Sequence, residues 1–309
     1  MMPHDAQQAH AGHGGDGNEH GGGGQRGHGH SHGHGDGDID WAERGTELIT
    51  GAEVVAPAID VALDWLAGRV PDASAVTDVG SGPGVAACAL AQRLPAARVL
   101  AVDGAEPLLE LARARAAGLG LADRLVTRRV DLPDGLADLP QADLVWVSGV
   151  AHHLPDPVGT LRALGRLVRP GGLLALREGG LPQRFLPDGV APGLLPRLEA
   201  ITEDLVAAGG QPSGIVAHEG DWPDLLRAAG LTPAGSKTFL LDLPAPLSDA
   251  ARGHLRFRLE MARDMAGERV SAPDALAISE LLDPENPAGI MQRSDVFLLT
   301  ALTVHTASP

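Results

Sequence analysis

The 309-residue sequence has one cysteine, one lysine, no tyrosine and only 3% aromatic residues. One cysteine excludes a disulfide scaffold and a cysteine-cluster metal site. No apolar run approaches the roughly 20 residues that span a bilayer, and no signal peptide opens the chain. Bases are scarce, 24 against 40 acids, whereas a nucleic-acid-binding protein needs a basic stripe. We therefore expect a cytoplasmic protein with neither a membrane nor a nucleic acid as partner.

The first 40 residues hold eight of the 13 histidines and 13 of the 41 glycines, with almost nothing apolar to bury. Such a segment cannot offset the entropy cost of ordering, so we expect a disordered tail over residues 1–38. Alternating imidazoles within it suit weak binding of Zn, Ni or Cu: His28, His30, His32 and His34. The rest of the chain keeps 23 bases and 34 acids, a formal charge of −11.

Apolar periodicity predicts two helices within residues 39–73, one from Trp41 to Thr50 and one from Ala52 to Ala67. Beyond them, short apolar strands alternate with helices, which predicts parallel strands in a doubly wound α/β sheet. The predicted strands are residues 76–79, 99–102, 125–130, 144–147, 173–176, 238–243 and 296–304. We expect one domain over residues 74–309, with insertions at 179–220 and 244–295 that have structure of their own.

The strongest local signal is the segment from Asp78 to Gly84, which reads Asp-Val-Gly-Ser-Gly-Pro-Gly between the first strand and a helix. Its glycines, Gly80, Gly82 and Gly84, let the backbone approach a ligand closely, and the helix N-terminus favours an anionic group. The spacing is not that of the dinucleotide fingerprint, and Asp78 would repel a diphosphate. An acid at this position suits a ligand that carries positive charge.

Two more acids follow strand ends. A carboxylate at Asp103, which closes the second strand, is placed to accept both hydroxyls of a ribose. Asp131 follows the third strand and is positioned for an exocyclic adenine amine. Together the three acids predict a nucleoside ligand with an amino-acid-like tail and no diphosphate.

At these residues the chain resembles the class I S-adenosylmethionine-dependent methyltransferases, and the wider chain resembles a His-tailed bacterial subgroup of that family. The resemblance covers residues 74–178. It implies a Rossmann-like seven-stranded sheet with an antiparallel last strand inserted beside residues 238–243, and helical lid insertions. It also implies S-adenosylmethionine as the cofactor, held by Asp78, Gly80, Ser81, Gly82, Gly84, Asp103, Gly104, Ala105, Asp131, Leu132 and Ser148.

Candidate catalytic residues are His152 and His153, which follow the fourth strand at the edge where the methyl group would lie. One of them has the chemistry to deprotonate an acceptor, because histidine titrates near neutral pH. We expect His153 to matter for turnover more than for cofactor affinity. Arg177 and Glu178 end the fifth strand, either orienting a polar acceptor or forming an ion pair. His254 is expected at the surface or in a lid.

The leading hypothesis is methyl transfer to a small-molecule acceptor. No Asn-Pro-Pro-Tyr-like motif follows the fourth strand, which disfavours methylation of nucleobase or glutamine amines. Two alternatives stay open: a metal-binding protein that uses the His-rich tail together with a cofactor-binding body, and a nicotinamide-dependent oxidoreductase, which the glycine spacing disfavours.

Overall fold

The residues described by the computed structural model are 41–154, 156–208 and 221–309, with residues 41–43 described at the level of the backbone. The tail predicted to be disordered, its four alternating histidines and the end of the first predicted insertion lie outside these residues.

Seven strands form one sheet whose order is β3-β2-β1-β4-β5-β7-β6. The first five pair in parallel, and β7 runs antiparallel between β5 and β6. This confirms the predicted doubly wound α/β fold with its antiparallel last strand. The strands are β1 (Ala75–Val79), β2 (Arg98–Asp103), β3 (Leu125–Arg129), β4 (Ala142–Ser148), β5 (Val168–Arg184), β6 (Thr232–Leu243) and β7 (Leu298–Ser308).

The described helices are α1 (Trp41–Ala67), α2 (Val85–Arg93), α3 (Glu106–Gly118), α4 (Pro157–Arg166), α5 (Leu194–Ala207), α6 (Trp222–Ala228), α7 (Asp249–Ala266) and α8 (Ala272–Leu282). Several begin where the sequence supplies an N-cap oxygen. Asp156 accepts from the N–H of Gly159 at the start of α4, and Asp221 caps α6 in the same way. These bonds satisfy N–H groups that a helix start leaves unpaired.

Both faces of the sheet are covered, because alternate residues of each buried strand point to opposite sides. One face, with Val76, Trp146 and Ala175, packs against α1, α2, α5, α7 and α8. The other face, with Val79 and Leu176 among its residues, packs against α4 and α6. The crossovers bring the carboxyl ends of β1 to β5 to one edge.

The predicted break in the N-terminal helices is wrong. One helix runs from Trp41 to Ala67, and Gly51 lies inside it. A Cβ at Gly51 would lie 2.9 Å from His254 Cε1, so this glycine serves close packing against α7 rather than a helix end. His254 is correspondingly buried at 9% exposure, so the surface position that was one of its two expected places is wrong. It lies in α7, within the predicted insertion 244–295.

The fifth strand is longer than predicted. It continues through the glycine pair 179–180 to Arg184, with irregular register against β7. Residues 179–184 are therefore sheet rather than part of a lid insertion. A Cβ at Gly180 would lie 2.0 Å from the Ala301 carbonyl oxygen, so β7 approaches closely only because this residue is glycine.

In the part of the chain that the structure describes, no helix is long and apolar enough to cross a membrane. The same residues contain no group of three or more His, Cys, Asp or Glu side chains able to hold a metal ion.

Candidate cofactor and acceptor site

The glycine turn after β1 needs glycine for two reasons. Gly80, Gly82 and Gly84 have φ of 68°, 52° and 74°, in the left-handed region. A Cβ at Gly80 would lie 2.3 Å from Val150 Cγ2, and one at Gly84 would lie 2.6 Å from Ala112 Cβ. At Gly82 an added Cβ meets nothing within 4 Å. The turn is thus packed on both flanks, and its middle peptide faces open space that a ligand can fill.

Asp103 connects this turn to the start of α3. Its Oδ2 accepts from the N–H of Gly82 at 2.8 Å, and its Oδ1 accepts from the N–H of Ala105 at 3.0 Å. Because each carboxylate oxygen has two lone pairs, both keep one for a further donor. Ala105 is the N-cap residue of α3, so Asp103 fixes the geometry between two helix starts.

Asp78 lies beneath the turn and is 1% exposed. Burial, with a smaller contribution from the nearby Asp103 carboxylate, raises its pKa from 3.8 to about 7, although the N–H of Ala87 lowers it. Its Oδ2 has no hydrogen-bond partner among the described residues, nor does the Oγ of the buried Ser81. The turn therefore leaves an unsatisfied acceptor on a group whose ionisation a cation would favour.

The structure brings Asp131 to the same edge. Strand β3 ends at Arg129, one residue earlier than the prediction, and the Asp131 side chain is 82% exposed. A Cβ at Gly104 would lie 3.6 Å from Asp131 Oδ1, so these two predicted positions are neighbours. Leu132 is partly buried against the α4 and α6 face.

The segment after β4 is held by two adjacent residues of β5 that point to opposite faces. The Nε–H of Arg177 donates to Ser148 Oγ at 2.7 Å. The buried Glu178 accepts from the N–H groups of Val150 and Ala151 at 3.1 and 2.9 Å through Oε1. The ion pair, which was one of the two alternatives expected for Arg177 and Glu178, is therefore not formed. Arg177 contacts β4, and Glu178 contacts the turn that follows it. Period-two alternation in a strand was the signal for this separation.

His152 is the histidine that Glu178 contacts. Its Nδ1 lies 2.8 Å from Glu178 Oε2, and since a carboxylate only accepts, Nδ1 carries the hydrogen. The neutral ring then presents Nε2 as a proton acceptor. His153 is more exposed, and the centroids of the two rings are 4.0 Å apart.

Comparison with known proteins matches residues 77–174 to the family model described as a methyltransferase domain. A trans-aconitate 2-methyltransferase from Azoarcus sp. (strain BH72) is 37% identical over 118 residues, 38% of this chain and 44% of that protein. A ubiquinone biosynthesis O-methyltransferase from Leptothrix cholodnii is 35% identical over 117 residues, 37% of this chain and 48% of that protein. The chain thus spans less than half the length of these relatives.

Among solved structures, an O-methyltransferase family protein from Burkholderia thailandensis aligns with a TM-score of 0.48 and 21% identity, over 64% of this chain and 57% of that one. Residues 77–174 are thus a methyltransferase domain. The sheet around it has the antiparallel strand β7 that the resemblance to the class I S-adenosylmethionine-dependent methyltransferases implied.

Proposed function

We propose that this protein transfers the methyl group of S-adenosylmethionine to a small-molecule acceptor. The observation that carries the proposal is the row of three acids along the sheet edge, at the ends of β3, β2 and β1, around a turn whose middle peptide faces open space. Asp131 suits an adenine amine and the free lone pairs of Asp103 suit a ribose diol. The unsatisfied oxygen of Asp78 suits a positively charged group.

S-adenosylmethionine supplies a methyl group that its sulfonium already activates, so positioning contributes much of the rate, of order 7–11 kcal/mol in favourable cases. The chain's own part is to fix the donor against the acceptor. Asp103 holds the glycine turn in place, and Glu178 holds the turn after β4. Both are carboxylates that accept from backbone N–H groups, which gives rigid support at the strand ends.

The acceptor is proposed to be small on two grounds. The formal charge of −11 over residues 41–309 repels nucleic acid. Relatives that share the matched domain are named for trans-aconitate and for ubiquinone biosynthesis. Because the family match ends at residue 174, inside β5, the names support the reaction class, and the acceptor has to be argued from the rest of the site.

The direct test is isothermal titration of the full chain with S-adenosylmethionine. We expect binding to the wild type and a loss of affinity in Asp103→Ala. Asp242→Ala is the matched control, since it removes an exposed strand carboxylate from β6, at the other end of the sheet order. No binding to the wild type, or unchanged affinity in Asp103→Ala, would refute the proposal.

The histidine pair is proposed to take a proton from an acceptor that must lose one. His152 has the oriented ring, and the sequence-based prediction for His153 still stands beside it. In His152→Asn and in His153→Ala we expect a lower kcat with unchanged affinity for S-adenosylmethionine. An unchanged kcat in both variants would restrict the pair to a structural role.

A further inference from the structure

Arg177 carries a charge that the described residues do not neutralise. Its Nε–H donates to Ser148 Oγ, but it forms no ion pair with any described carboxylate. Burial lowers its pKa, and the neighbouring Glu178 offsets this only in part. Since Glu178 points to the opposite face and accepts three N–H groups there, it is not available to the guanidinium.

The two other arginines of β5 show that this strand ordinarily pairs its guanidinium groups. Arg169 lies 3.0 Å from Asp143 at the start of the strand, and Arg184 lies 2.7 Å from Asp188 at its end. Both are well exposed, at 42% and 61% of the side chain. The unpaired arginine, which is partly buried, is thus the one of the three whose charged form burial disfavours, the reverse of what stability favours. Perturbed charges of this kind gather at functional sites.

The guanidinium also lies against the turn after β4, which packs on the glycine turn after β1. A Cβ at Gly149 would lie 2.8 Å from Arg177 Nη2, so the side chain covers that glycine. The next residue, Val150, packs against Gly80, the first glycine of the turn after β1. Arg177 therefore contacts Gly149, and the next residue, Val150, packs on the glycine turn after β1.

The strand order of the sheet places Arg177 away from the three acids that are proposed to hold S-adenosylmethionine. Asp131 follows β3, Asp103 ends β2, and Asp78 lies near the end of β1. Arg177 lies in β5, two strands beyond β1 in the sheet order. At about 4.8 Å per strand this is roughly 10 Å from the β1 position. Asp78 and Arg177 point to the same face, since each lies two residues after a strand residue of one core, Val76 and Ala175. A donor spanning β3 to β1 leaves the space over β5 for the acceptor.

We propose that Arg177, oriented by Ser148, binds a carboxylate of the acceptor, so that the substrate class is acidic small molecules. The two terminal nitrogens present the fork that a carboxylate accepts in bidentate fashion, which a lysine would not reproduce. This inference rests on the proposed function, since it concerns the second ligand of the same site. A carboxylate of the donor's own amino-acid end is the competing source, and the experiment separates the two.

The experiment uses the full chain saturated with S-adenosylhomocysteine and measures the binding of matched probe pairs: fumarate with fumaramide, succinate with succinamide, and benzoate with benzamide. Each pair differs little in shape and differs in charge. We expect the wild type to bind at least one carboxylate and not its amide. Arg177→Met is expected to weaken that binding about 10- to 100-fold, the usual worth of hydrogen bonds to a charged group.

Three further measurements control the result. Arg184→Met, in the same strand, should bind the carboxylate as tightly as the wild type does. The carboxylate affinity of Arg177→Lys should lie between those of the wild type and Arg177→Met. All variants should keep the wild-type affinity for S-adenosylhomocysteine, which also shows that they fold. Arg177→Met should unfold at no lower denaturant concentration than the wild type, because it removes an unpaired charge, whereas a structural brace would lose stability.

The outcomes are distinct. If S-adenosylhomocysteine affinity falls in Arg177→Met while carboxylate binding persists, the guanidinium serves the donor and the proposal is wrong. It is also wrong if no carboxylate binds, if amides bind equally well, or if Arg177→Met binds carboxylates like the wild type. Failure of the wild type to bind S-adenosylhomocysteine refutes the proposed function itself, and the acceptor proposal with it.

Discussion

The buried carboxylate under the glycine turn makes the stability of this protein depend on pH in an unusual direction. Below about pH 4, Asp78 is protonated in both the folded and the unfolded chain. As the pH rises towards 7, the unfolded chain releases this proton and the folded chain retains it, because the folded-state pKa is about 7. The free energy of unfolding therefore falls across this window and levels off above it.

The size of the effect follows from the shift. Raising the pKa from 3.8 to about 7 makes ionisation in the folded state cost about 4 kcal/mol, at 1.36 kcal/mol per unit. Of this, roughly 3 kcal/mol is lost between about pH 5 and pH 8. Asp78→Asn removes the ionisation but places an amide N–H at the unsatisfied Oδ2, at a cost of about 1–3 kcal/mol. At about pH 8 the variant should be the more stable protein by about 1–3 kcal/mol.

The assay is denaturant unfolding of the ligand-free wild type and Asp78→Asn across this pH range. The difference between the two isolates this carboxyl, since all other titrating groups are shared. Asp143→Asn is the contrasting control. Burial would raise the pKa of Asp143, but the N–H groups of Ser74 and Ala75, the Ser74 hydroxyl and Arg169 lower it to about 2, so removing that charge should destabilise. A wild-type-to-Asp78→Asn difference that is constant with pH would refute the reasoning.

The same carboxyl links cofactor binding to a proton. A donor with a positively charged group near Asp78 lowers its pKa, so binding below about pH 7 should release close to one proton. Affinity for S-adenosylmethionine should then rise with pH, by up to about tenfold per unit, until about pH 7. Titration calorimetry in buffers of different ionisation enthalpy counts the protons. A count of zero in the wild type, or the same count in Asp78→Asn, contradicts the assignment.

Three further predictions concern the packing around the site. Gly80→Ala forces a methyl group against Val150 at positive φ, so we expect lost cofactor binding by calorimetry and a lower Tm. Glu178→Ala leaves two N–H groups and His152 without their acceptor and should cost about 2–4 kcal/mol in denaturant unfolding, with Glu178→Gln losing less. Burial, aided by Arg258, lowers the pKa of His254 to about 4, so stability should fall as pH drops from 6.5 towards 4, by up to about 3 kcal/mol. His254→Gln should show a shallower fall, and an equal slope in both proteins would rule out this histidine as the cause.

The glycine turn and the strand-end acids were predictable because local rules determine them. Gly80 and Gly84 need positive φ, and acids at the ends of parallel strands meet at one edge whatever packs around them. The parallel pairing of the first five strands followed from strand–helix alternation, since right-handed crossovers between parallel strands leave few topologies. The antiparallel β7 was implied by the family resemblance.

The two incorrect element boundaries, at Gly51 and at the end of β5, depend on contacts with residues far away in the sequence. The helix break expected at Gly51 failed because that glycine accommodates the His254 ring, 203 positions later. The end of β5 was placed too early because the glycine pair 179–180 is typical of a turn, whereas β7 pairs across it. In both cases glycine meets a steric demand from another element, and single-sequence propensity cannot distinguish that from a chain reversal.

Arg177 and Glu178 show how two adjacent residues of β5 serve two separate tasks. Being adjacent, they point to opposite faces, so the carboxylate supports the His152 turn without neutralising the guanidinium. Had they been two positions apart, they would share a face, where the carboxylate could pair with the guanidinium. The formal charge of −11 over residues 41–309 disfavours nucleic acid as the acceptor, but it does not set the charge that a small acceptor carries. The partly buried guanidinium of Arg177 over β5 sets the local preference, because at contact distance its field exceeds that of exposed acids screened beyond about 10 Å.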